Sequence, residues 1–425
     1  MRGRSWRCWT MAAVLLLLCG RSHAQLLPTP PVLGGVLGDV ERVTTDTLDR
    51  TGETIETVRS SARDLAATRV DRLRDLVRAN PDRLEMTRLG PAVRSEVIAI
   101  DPDPVALAAA EAAGFEALGE ERIEGLDMRT VTLRVPRGWS VDRALSRLRR
   151  LAPTGEFAAN HLHVPSGGAV AAGGAAARSV PAVSGGGALV IGIIDGGVGP
   201  HPALRGRVRQ QGFAQGAPRA SAHGTAVASL AAGQGSVRGA APGATLAVAD
   251  IYGRDPAGGN ALALARALGW LAQSRVPVVA ISLVGPANPV VARAVAQAKA
   301  RGMHIVAAVG NDGRAAPPAY PASYPGVIAV TGVDRRGRVL IEAGRALHLD
   351  YAAPGADMAA ASLGGGLAPV RGTSYAVPFV AGRLAHHVGR PNPLAALDAE
   401  AAGRGRRGVG RGIVCSDCRT PYRRD

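Results

Sequence analysis

Five short apolar segments alternate with helix-like stretches in the second half of the chain, and this alternation restricts the fold more than any other feature. Short, nearly all-apolar strands separated by helices are typical of a parallel sheet that is covered on both faces. The sequence therefore predicts an α/β domain with a doubly wound, mostly parallel sheet and helices on both faces. Its predicted strands are the segments 189–194, 245–249, 278–283, 305–309 and 327–330.

A smaller α+β unit is predicted upstream of this domain. Residues 95–165 contain strand-like and helix-like segments in an order that fits a split β-α-β sandwich. Residues 166–188 are rich in Gly and Ala and carry almost no charge, so we interpret them as a flexible linker. The larger α/β domain is accordingly placed at 189–395.

The N-terminal segment 25–94 is predicted to be helical. Apolar residues recur at gaps of three, four and seven along residues 38–79, which indicates one apolar face of a helix. This face would pack on a neighbouring part of the protein; the alternative is a coiled coil or a partner-binding face. Residues 1–24 combine a basic start, an apolar stretch at 11–18 and small residues at the end, the pattern of a secretory signal peptide. We therefore expect export to an extracellular or periplasmic location.

The net charge is strongly positive and unevenly divided. The chain has 50 Lys+Arg against 34 Asp+Glu, a formal charge of +16. Specific nucleic-acid binding is not favoured, because single-strand binders interleave basic residues with stacking aromatics and this chain has only four Phe. Residues 25–165 hold 19 Arg and 22 Asp+Glu, whereas residues 166–425 hold 27 Lys+Arg and 12 Asp+Glu. No apolar run reaches the ~18 residues of a membrane span, so no transmembrane segment is predicted.

The last segment, 396–425, is interpreted as a basic tail. After removal of residues 1–24 the chain keeps two cysteines, Cys415 and Cys418. One Cys-x-x-Cys supplies only two of the four ligands of a structural zinc site, so a small-loop disulfide is favoured in an exported chain. The arginines of this Arg-rich tail are able to contact an anionic surface; the alternative is that they are simply solvated.

Polar residues stand at predicted element ends of the α/β domain. Asp195 directly follows the first apolar segment, His223 lies in Ala-His-Gly-Thr, and Ser374 lies in Gly-Thr-Ser-Tyr-Ala-Val-Pro. Open α/β sheets bind ligands at the carboxyl ends of their strands. A serine hydroxyl needs an adjacent base that is oriented by a third group, and Asp, His and Ser supply these three parts. Asn311 follows the segment 305–309 and can donate an amide N–H to an oxyanion.

These four motifs, in this order, resemble those of the subtilisin-type serine peptidases (subtilases) over about residues 185–390. The resemblance implies an endopeptidase in which Asp195 orients His223, His223 acts as general base and then acid, and Ser374 attacks the peptide carbonyl. It also implies an oxyanion hole made by the Asn311 side chain and the Ser374 N–H. Polypeptides are the implied substrates, and no cofactor is implied.

Further stretches resemble the family's substrate cleft. One resembles the strand that pairs with substrate backbone and walls the S1 pocket, and a second resembles the opposite wall. The residues concerned are Ser282, Leu283, Val284 and Gly285 on the first wall, and Ala308 and Gly310 on the second. Residues 252–259 are expected to form a second substrate-pairing edge, so that an extended peptide is held by main-chain hydrogen bonds.

The sequence departs from the family in three ways. Gly196 stands where a hydroxyl residue usually follows the aspartate, which predicts weaker support for the carboxylate. Val284 stands where many relatives have glycine, which predicts a narrower S1 pocket and a preference for small or modest apolar residues before the scissile bond (P1). The stretch 230–236 lacks the usual calcium loop and any acidic cluster, so no metal is expected at that position, although calcium elsewhere stays open.

The unit 95–165 resembles the inhibitor-type propeptide of subtilases, and residues 160–165 resemble the tail that occupies the active site before autocleavage. The resemblance implies a zymogen that is cut within about 165–185 and is inhibited by its own propeptide. The uneven charge favours electrostatic docking of this inhibitor on the enzyme. The alternatives are a subtilase fold kept for binding, with weak catalysis, and a basic surface-binding protein.

Overall fold

The structure is a computed structural model that describes residues 55–166, 189–205 and 207–421. The predicted signal peptide and nearly all of the predicted linker lie outside these residues. None of the helices in the described ranges is both long and apolar enough to cross a lipid bilayer.

The N-terminal part consists of a long helix followed by a small antiparallel sheet. The elements are α1 (Ile55–Ala79), β1 (Leu84–Met86), β2 (Pro91–Ile100), α2 (Pro104–Ala112), β3 (Glu116–Ile123), β4 (Met128–Arg134), α3 (Val141–Leu151) and β5 (Glu156–His161). The strand order is β1-β2-β4-β3, with β5 also paired to β2. Helix α2 connects β2 to β3, and α3 connects β4 to β5.

The two faces of β2 pack on different partners because side chains alternate along a strand. Val97 and Ala99 belong to a core that includes residues of α2 and α3. Ile98 and Ile100 point the other way and join a core that contains residues of the large domain. The small sheet is therefore covered by its own helices on one side and by the large domain on the other.

A seven-stranded parallel sheet forms the centre of the large domain. The further strands are β6 (Val164–Pro165), β7 (Val190–Asp195), β8 (Val208–Gly212), β9 (Thr245–Asp250), β10 (Val278–Ile281), β11 (Leu283–Val284), β12 (His304–Ala308), β13 (Ile328–Val333), β14 (Tyr351–Pro354), β15 (Met358–Ala361) and β16 (Leu367–Val370). The large sheet has the order β14-β13-β12-β10-β7-β9-β8, and all its pairs are parallel. This confirms the predicted doubly wound sheet.

Helices cover both faces of this sheet. They are α4 (Ala222–Ala232), α5 (Ala261–Gln273), α6 (Pro289–Ala300), α7 (Val377–Ala385) and α8 (Pro393–Glu400). Helices α4 and α7 share one buried core with Ile191 and Ile193 of β7. Helices α5 and α6 share the second core with Ile194, on the other face of the same strand. Both layers are needed because the strands carry apolar side chains on both faces.

Two boundaries differ from the sequence-based expectations, and a third lies outside the described residues. The boundary between residues 94 and 95 falls inside β2, which begins at Pro91; the irregular backbone at Ser95, with φ of 58°, hides this continuity in the sequence. The boundary between residues 395 and 396 falls inside α8. The helix expected over 38–79 is described only from Ile55, and its earlier residues lie outside the described ranges.

The C-terminal segment returns to the edge of the large sheet. Ile413 forms β-bridges with Ala352 and with Ala402, and Val414 is fully buried. Cys415 and Cys418 are joined by a disulfide. The segment is thus more than a basic tail, because its apolar residues Val409 and Ile413 fill a small core beside β13 and β14, while Arg404, Arg406 and Arg407 are exposed.

Candidate active site

Asp195 and His223 meet at the carboxyl edge of the large sheet. Asp195 ends β7, its side chain is almost fully buried, and its two carboxylate oxygens lie 2.9 and 2.8 Å from His223 Nδ1. The N–H of Gly196 donates to Asp195 Oδ1 at 2.7 Å. A carboxylate that accepts from Nδ1 keeps a proton on that nitrogen and leaves Nε2 as the basic atom.

The start of α4, which carries His223, is shaped by Ser221. The Ser221 hydroxyl accepts the N–H of Gly224 at 2.9 Å and donates to the Gly197 carbonyl at 3.2 Å. Serine is among the favoured residues at this capping position. Gly224 has no space for a side chain, because a Cβ would lie 2.2 Å from the Gly196 carbonyl oxygen. The glycine of the histidine motif thus permits α4 to pack directly on the loop after β7.

Ser374 is fully buried in a short 3₁₀ turn (Thr373–Tyr375) that leads into α7. Gly372 before it has φ of 143°, and a Cβ there would lie 2.9 Å from Asn311 Nδ2. The Thr373 N–H donates to Asn311 Oδ1 at 2.8 Å. This bond fixes the amide with its NH₂ group left for another acceptor.

Three buried polar atoms of these residues have no hydrogen-bond partner within the part of the chain that the structure describes: His223 Nε2, Asn311 Nδ2 and Ser374 Oγ. Buried polar atoms are nearly always paired, so each exception needs an explanation. Here they are a base, an amide donor and a hydroxyl, the groups that a peptide carbonyl under attack would engage. The Ser374 hydroxyl is not hydrogen bonded to His223, and such bonds often tighten only as the reaction proceeds.

Two neighbours hold the ring of His223 and the turn of Ser374. The rings of Tyr375 and His223 pack with centroids 5.2 Å apart. Burial and the charge of Asp195 raise the pKa of Tyr375 to about 12, so its hydroxyl stays neutral. Ser282 Oγ donates to the Ser374 carbonyl at 2.8 Å, which ties the serine turn to the strand that lines the cleft.

Asp250, at the end of β9, holds two loops of the site and was missed in the sequence. Its carboxylate accepts the N–H groups of Arg219, Tyr252 and Gly253 at 2.6, 2.9 and 3.1 Å. Burial raises the pKa of Asp250, and the three N–H donors act in the opposite direction. The carboxylate thereby connects the loop before His223 with the loop that begins the second substrate-pairing edge.

Residues 162–166 of the chain itself lie extended in the cleft. Strand β6 pairs antiparallel with β11, and the next N–H, that of Ser166, donates to the Ser282 carbonyl at 3.1 Å. Ser166 is only 2% exposed. The strand at 282–285, which the sequence predicts to pair with substrate backbone, is therefore paired with a segment of this chain.

The other edge of this segment pairs with the loop after β9. His163 donates its N–H to the Gly259 carbonyl at 2.7 Å, and its own carbonyl accepts the Tyr252 hydroxyl at 3.0 Å. Leu162 forms an antiparallel bridge with Asn260. Main-chain pairing on both edges suits an extended peptide and makes little demand on its sequence.

The imidazole of His163 is completely buried, and among the described residues neither ring nitrogen has a hydrogen-bond partner. The ring lies against Gly285, where a Cβ would come within 2.5 Å of it. Burial lowers the pKa of His163 to about 3, and the neighbouring His161 acts in the same direction. The pocket therefore holds a neutral imidazole.

The structure gives a physical account of two of the three departures from the family pattern, those at Gly196 and Val284. A Cβ on Gly196 would lie 2.4 Å from Ser221 Oγ, so the space for a side chain is taken by the capping serine. On the second wall, Ala308 ends β12 and Gly310 follows with φ of 90°. Val284 Cγ1 lies 3.5 Å from the position that a Cβ on Gly310 would take, so the valine narrows the space between the walls.

The turn after α4 does not fit a calcium ion. Residues 233–236 are Gly, Gln, Gly and Ser and offer no carboxylate, whereas Ca²⁺ takes six or more oxygen ligands. In the described ranges no group of three or more His, Cys, Asp or Glu side chains could hold a metal ion.

The sheet edge thus carries a buried Asp–His pair, a serine hydroxyl and a free amide donor beside a peptide-pairing cleft, and this combination defines an α/β serine hydrolase. A family model described as the subtilase family matches residues 186–398, half of the chain. The chain belongs to the subtilase family, and it is a subtilisin-type serine peptidase.

Individual relatives agree with this assignment. The chain is 32% identical to subtilisin BL of Lederbergia lenta over 207 residues, which is 47% of this chain and 76% of the relative. It is 33% identical to alkaline elastase YaB of Bacillus sp. (strain YaB) over 210 residues, 48% of this chain and 54% of the relative. The solved structure of fervidolysin from Fervidobacterium pennivorans matches 79% of this chain and 62% of its own, with a TM-score of 0.61 and 20% identity, which supports the fold.

Proposed function

We propose that this subtilase is an exported serine endopeptidase, that Asp195, His223 and Ser374 form its catalytic triad, and that it is made as a zymogen which cuts its own chain. The observation that carries the proposal is a set of three buried atoms that have no hydrogen-bond partner among the described residues, His223 Nε2, Asn311 Nδ2 and Ser374 Oγ, beside a cleft that already pairs with an extended peptide. The predicted signal peptide and the disulfide support export.

The first half of the reaction forms an acyl-enzyme. His223 Nε2 takes the proton of the Ser374 hydroxyl as Oγ bonds to the substrate carbonyl carbon, and the carbonyl π electrons move onto its oxygen. Asn311 Nδ2 and the Ser374 N–H donate to this oxyanion, and loss of one such donor typically costs ~10²–10³ in kcat. As the oxyanion collapses, the C–N bond breaks and His223 gives its proton to the leaving amine. Asp195 stays ionised and keeps the imidazolium oriented.

The second half regenerates the enzyme. Water loses a proton to His223 Nε2 as its oxygen attacks the acyl carbon, and the new tetrahedral intermediate uses the same two donors. Its collapse breaks the ester bond, and His223 returns the proton to Ser374 Oγ. The products are a carboxylic acid and an amine, so one peptide bond and one water molecule are consumed.

We propose the bond after Ser166 as the site of self-cleavage. Ser166 is the last residue of the paired segment, and its N–H donates to Ser282, whose hydroxyl in turn donates to the Ser374 carbonyl. The carbonyl of Ser166 is therefore the one best placed to reach the nucleophile. Val164, two residues earlier in the same segment, pairs with Val284 of β11.

The same register supports a preference for small P1 residues. Val284 reaches toward Gly310 across the predicted S1 pocket, and the chain's own residue at the P1 position is a serine. Large aromatic P1 residues would have to displace the valine methyl groups. We therefore expect cleavage of a peptide library to favour Ala, Ser, Val and other small residues at P1.

Labelling with a fluorophosphonate tests the catalytic assignment. The wild-type chain should be labelled at Ser374 once residues up to 166 have been removed, and a Ser374→Ala chain should not be labelled. Absence of labelling in the fully processed wild type would instead support a subtilase fold that is kept for binding.

Mass spectrometry of both chains tests the processing assignment. The wild type should yield a large fragment that begins at Gly167, whereas the Ser374→Ala chain should keep this bond intact. A Ser166→Trp chain, in which the catalytic residues are unchanged, should be cut at least ~10-fold more slowly, because the pocket beside Val284 is small. Cleavage of Ser374→Ala at the same bond would show that another peptidase does the processing.

A further inference from the structure

Two acidic side chains of the large domain lie at the two ends of the paired segment 162–166. Asp312 directly follows Asn311, at the end where Ser166 meets the serine turn. Asp255 lies in the loop that pairs with the other end of the segment. Both carboxylates are largely buried, with side-chain exposures of 16% and 13%. A carboxylate with so little access to water destabilises the fold unless an opposite charge pairs with it.

Arginines from the N-terminal part neutralise both. From α1, Arg69 Nε lies 2.8 Å and Arg72 NH2 lies 3.0 Å from Asp312 carboxylate oxygens. From the turn after α1, Arg83 NH2 lies 3.0 Å from Asp255 Oδ1. Burial raises the pKa of Asp312, and the charges of Arg69 and Arg72 act in the opposite direction.

Between these ion pairs, α1 rests on the peptide in the cleft. Leu76 and Val77, in its last turn, pack on a buried cluster that contains Leu162 of the paired segment and Ala257 of the enzyme's edge loop. At 1.5 Å per residue, the stretch from Arg69 to Val77 is about 12 Å long. The helix therefore spans the paired segment, with Arg69 at the Asn311 end and Val77 at the edge-loop end.

In these contacts the N-terminal part supplies the arginine and the large domain supplies the carboxylate. Elsewhere the large domain supplies the arginine and the N-terminal part the acid, as in Arg266–Glu121 and Arg293–Glu156. Residues 166–425 carry 27 Lys+Arg and only 12 Asp+Glu, so general attraction between the two parts would not bring arginines to this rim. The pairing with Asp312 is a specific contact.

We propose that Asp312 is a docking site for the arginines of α1, and that α1 is a second inhibitory element which keeps the cleft closed after the bond following Ser166 has been cut. This inference rests on the proposed function, because it concerns access to the same cleft. Cutting releases the covalent link of the segment to the enzyme but leaves Arg69 and Arg72 in place. Activity then appears only when α1 leaves Asp312.

The test compares two double variants of the full chain. Arg69→Ala/Arg72→Ala removes the contact with Asp312. Arg74→Ala/Arg78→Ala is the matched control, because it removes the same charge from the same helix, and among the described residues these arginines form ion pairs only with Asp71 and Asp75 of α1. For each chain we would measure the delay between cleavage after residue 166, followed by mass spectrometry, and the appearance of activity on a short chromogenic peptide.

The first double variant should shorten this delay by about tenfold, and the control should stay within about twofold of the wild type. Equal delays in all three chains would overturn the inference. Asp312→Asn should shorten the delay in the same way, and combining it with Arg69→Ala/Arg72→Ala should add nothing further if the two sides act through one contact. Additive effects would argue against the contact. Activity is normalised to that of each freed enzyme.

A second measurement does not depend on catalysis. In full chains carrying Ser374→Ala, hydrogen exchange of the α1 and 162–166 amides should be protected in the control double variant. Protection should fall in Arg69→Ala/Arg72→Ala. If chains with an intact Ser374 are never cut but the difference in protection between the two double variants is present, the proposed self-cleavage fails and the docking of α1 stands. If those chains are cut but the two double variants are equally protected, α1 is not the second inhibitory element.

Discussion

Acidification should loosen the N-terminal part from the cleft, because two buried histidines must stay neutral there. Burial lowers the pKa of His163 to about 3 and that of His161 to about 4; for His161 the charge of Asp142 acts in the opposite direction but is outweighed. A histidine freed from the interface titrates near 6.5. The released state therefore binds protons first as the pH falls, and the interface loses stability between pH 6.5 and the bound pKa values.

The hydrogen bonds of His161 explain why it must be neutral. Thr87 donates its hydroxyl proton to the Gly90 carbonyl, so His161 Nε2, 3.0 Å from Thr87 Oγ1, has to donate to that oxygen. Asn288 Nδ2 donates to His161 Nδ1 at 3.1 Å, so Nδ1 has to accept. A proton added to Nδ1 would face this N–H donor and break the bond between them, leaving the Nδ1 proton without an acceptor while Asn288 Nδ2 keeps its bond to the Ala159 carbonyl.

The size of the effect follows from the difference in pKa. At pH 5, about 1.5 pH units below the pKa of a free histidine, protonation of each released histidine weakens association by ~2 kcal/mol, or about 30-fold in the dissociation constant. The two together give about 10³-fold weaker association than at pH 7.5. In His163→Phe one contribution disappears, so about 30-fold should remain. At pH 7.5 this variant should bind at least as tightly, since an imidazole without hydrogen-bond partners is replaced by an apolar ring.

The assay is retention of the cleaved N-terminal fragment rather than activity, because a change in catalytic rate with pH would not report on binding of the fragment. The processed wild type and His163→Phe would be run on size-exclusion columns at pH 7.5, 6 and 5 over a range of protein concentrations. A wild-type dissociation constant that changes less than about fivefold from pH 7.5 to 5 would refute the reasoning. So would an identical pH dependence in the two proteins.

Three further outcomes can be checked with single variants or additives. Val284→Gly should widen the S1 pocket and raise kcat/KM for peptides with Phe at P1 relative to Ala by about tenfold, measured on matched chromogenic peptides. Ser221→Ala removes the cap of α4 and should lower stability by ~1 kcal/mol, read as a Tm decrease of about 2–4 °C by calorimetry, with Ser236→Ala as an exposed-turn control. Addition of a chelator should leave Tm within about 1 °C, because the turn at 233–236 lacks carboxylates; a larger decrease would reveal a calcium site elsewhere.

The central strands of the large sheet were predictable because they are buried on both faces. Their apolar segments mark β7, β9, β10, β12 and β13 within a few residues of the observed bounds. The two edge strands were missed for different reasons. Strand β8 (Val208–Gly212) contains Arg and Gln because it is partly exposed, so it carries no apolar run. Strand β14 (Tyr351–Pro354) is buried, but it has only four residues, without Val or Ile, and ends in proline.

The residues that resemble family motifs are the proposed catalytic residues, whereas the residues that hold them in position lie elsewhere in the chain. Asp250 follows the second apolar segment just as Asp195 follows the first, and the two pair in register at the ends of β9 and β7. That repetition was a signal in the sequence that could have been used. Ser221 and the contact between Arg69 and Asp312 gave no such signal, because a cap and an ion pair between distant segments depend on the tertiary fold.

The opposite distribution of charge in the two sets of contacts favours one orientation of the N-terminal part on the large domain. Its acids at Glu121 and Glu156 meet arginines on α5 and α6, while its Arg69 and Arg83 meet carboxylates at the cleft. A fragment turned end to end would bring arginine against arginine and acid against acid. Repulsion would then oppose the reversed pose while attraction favours the observed one, so the charge pattern would guide a returning fragment to the cleft rather than to another basic surface.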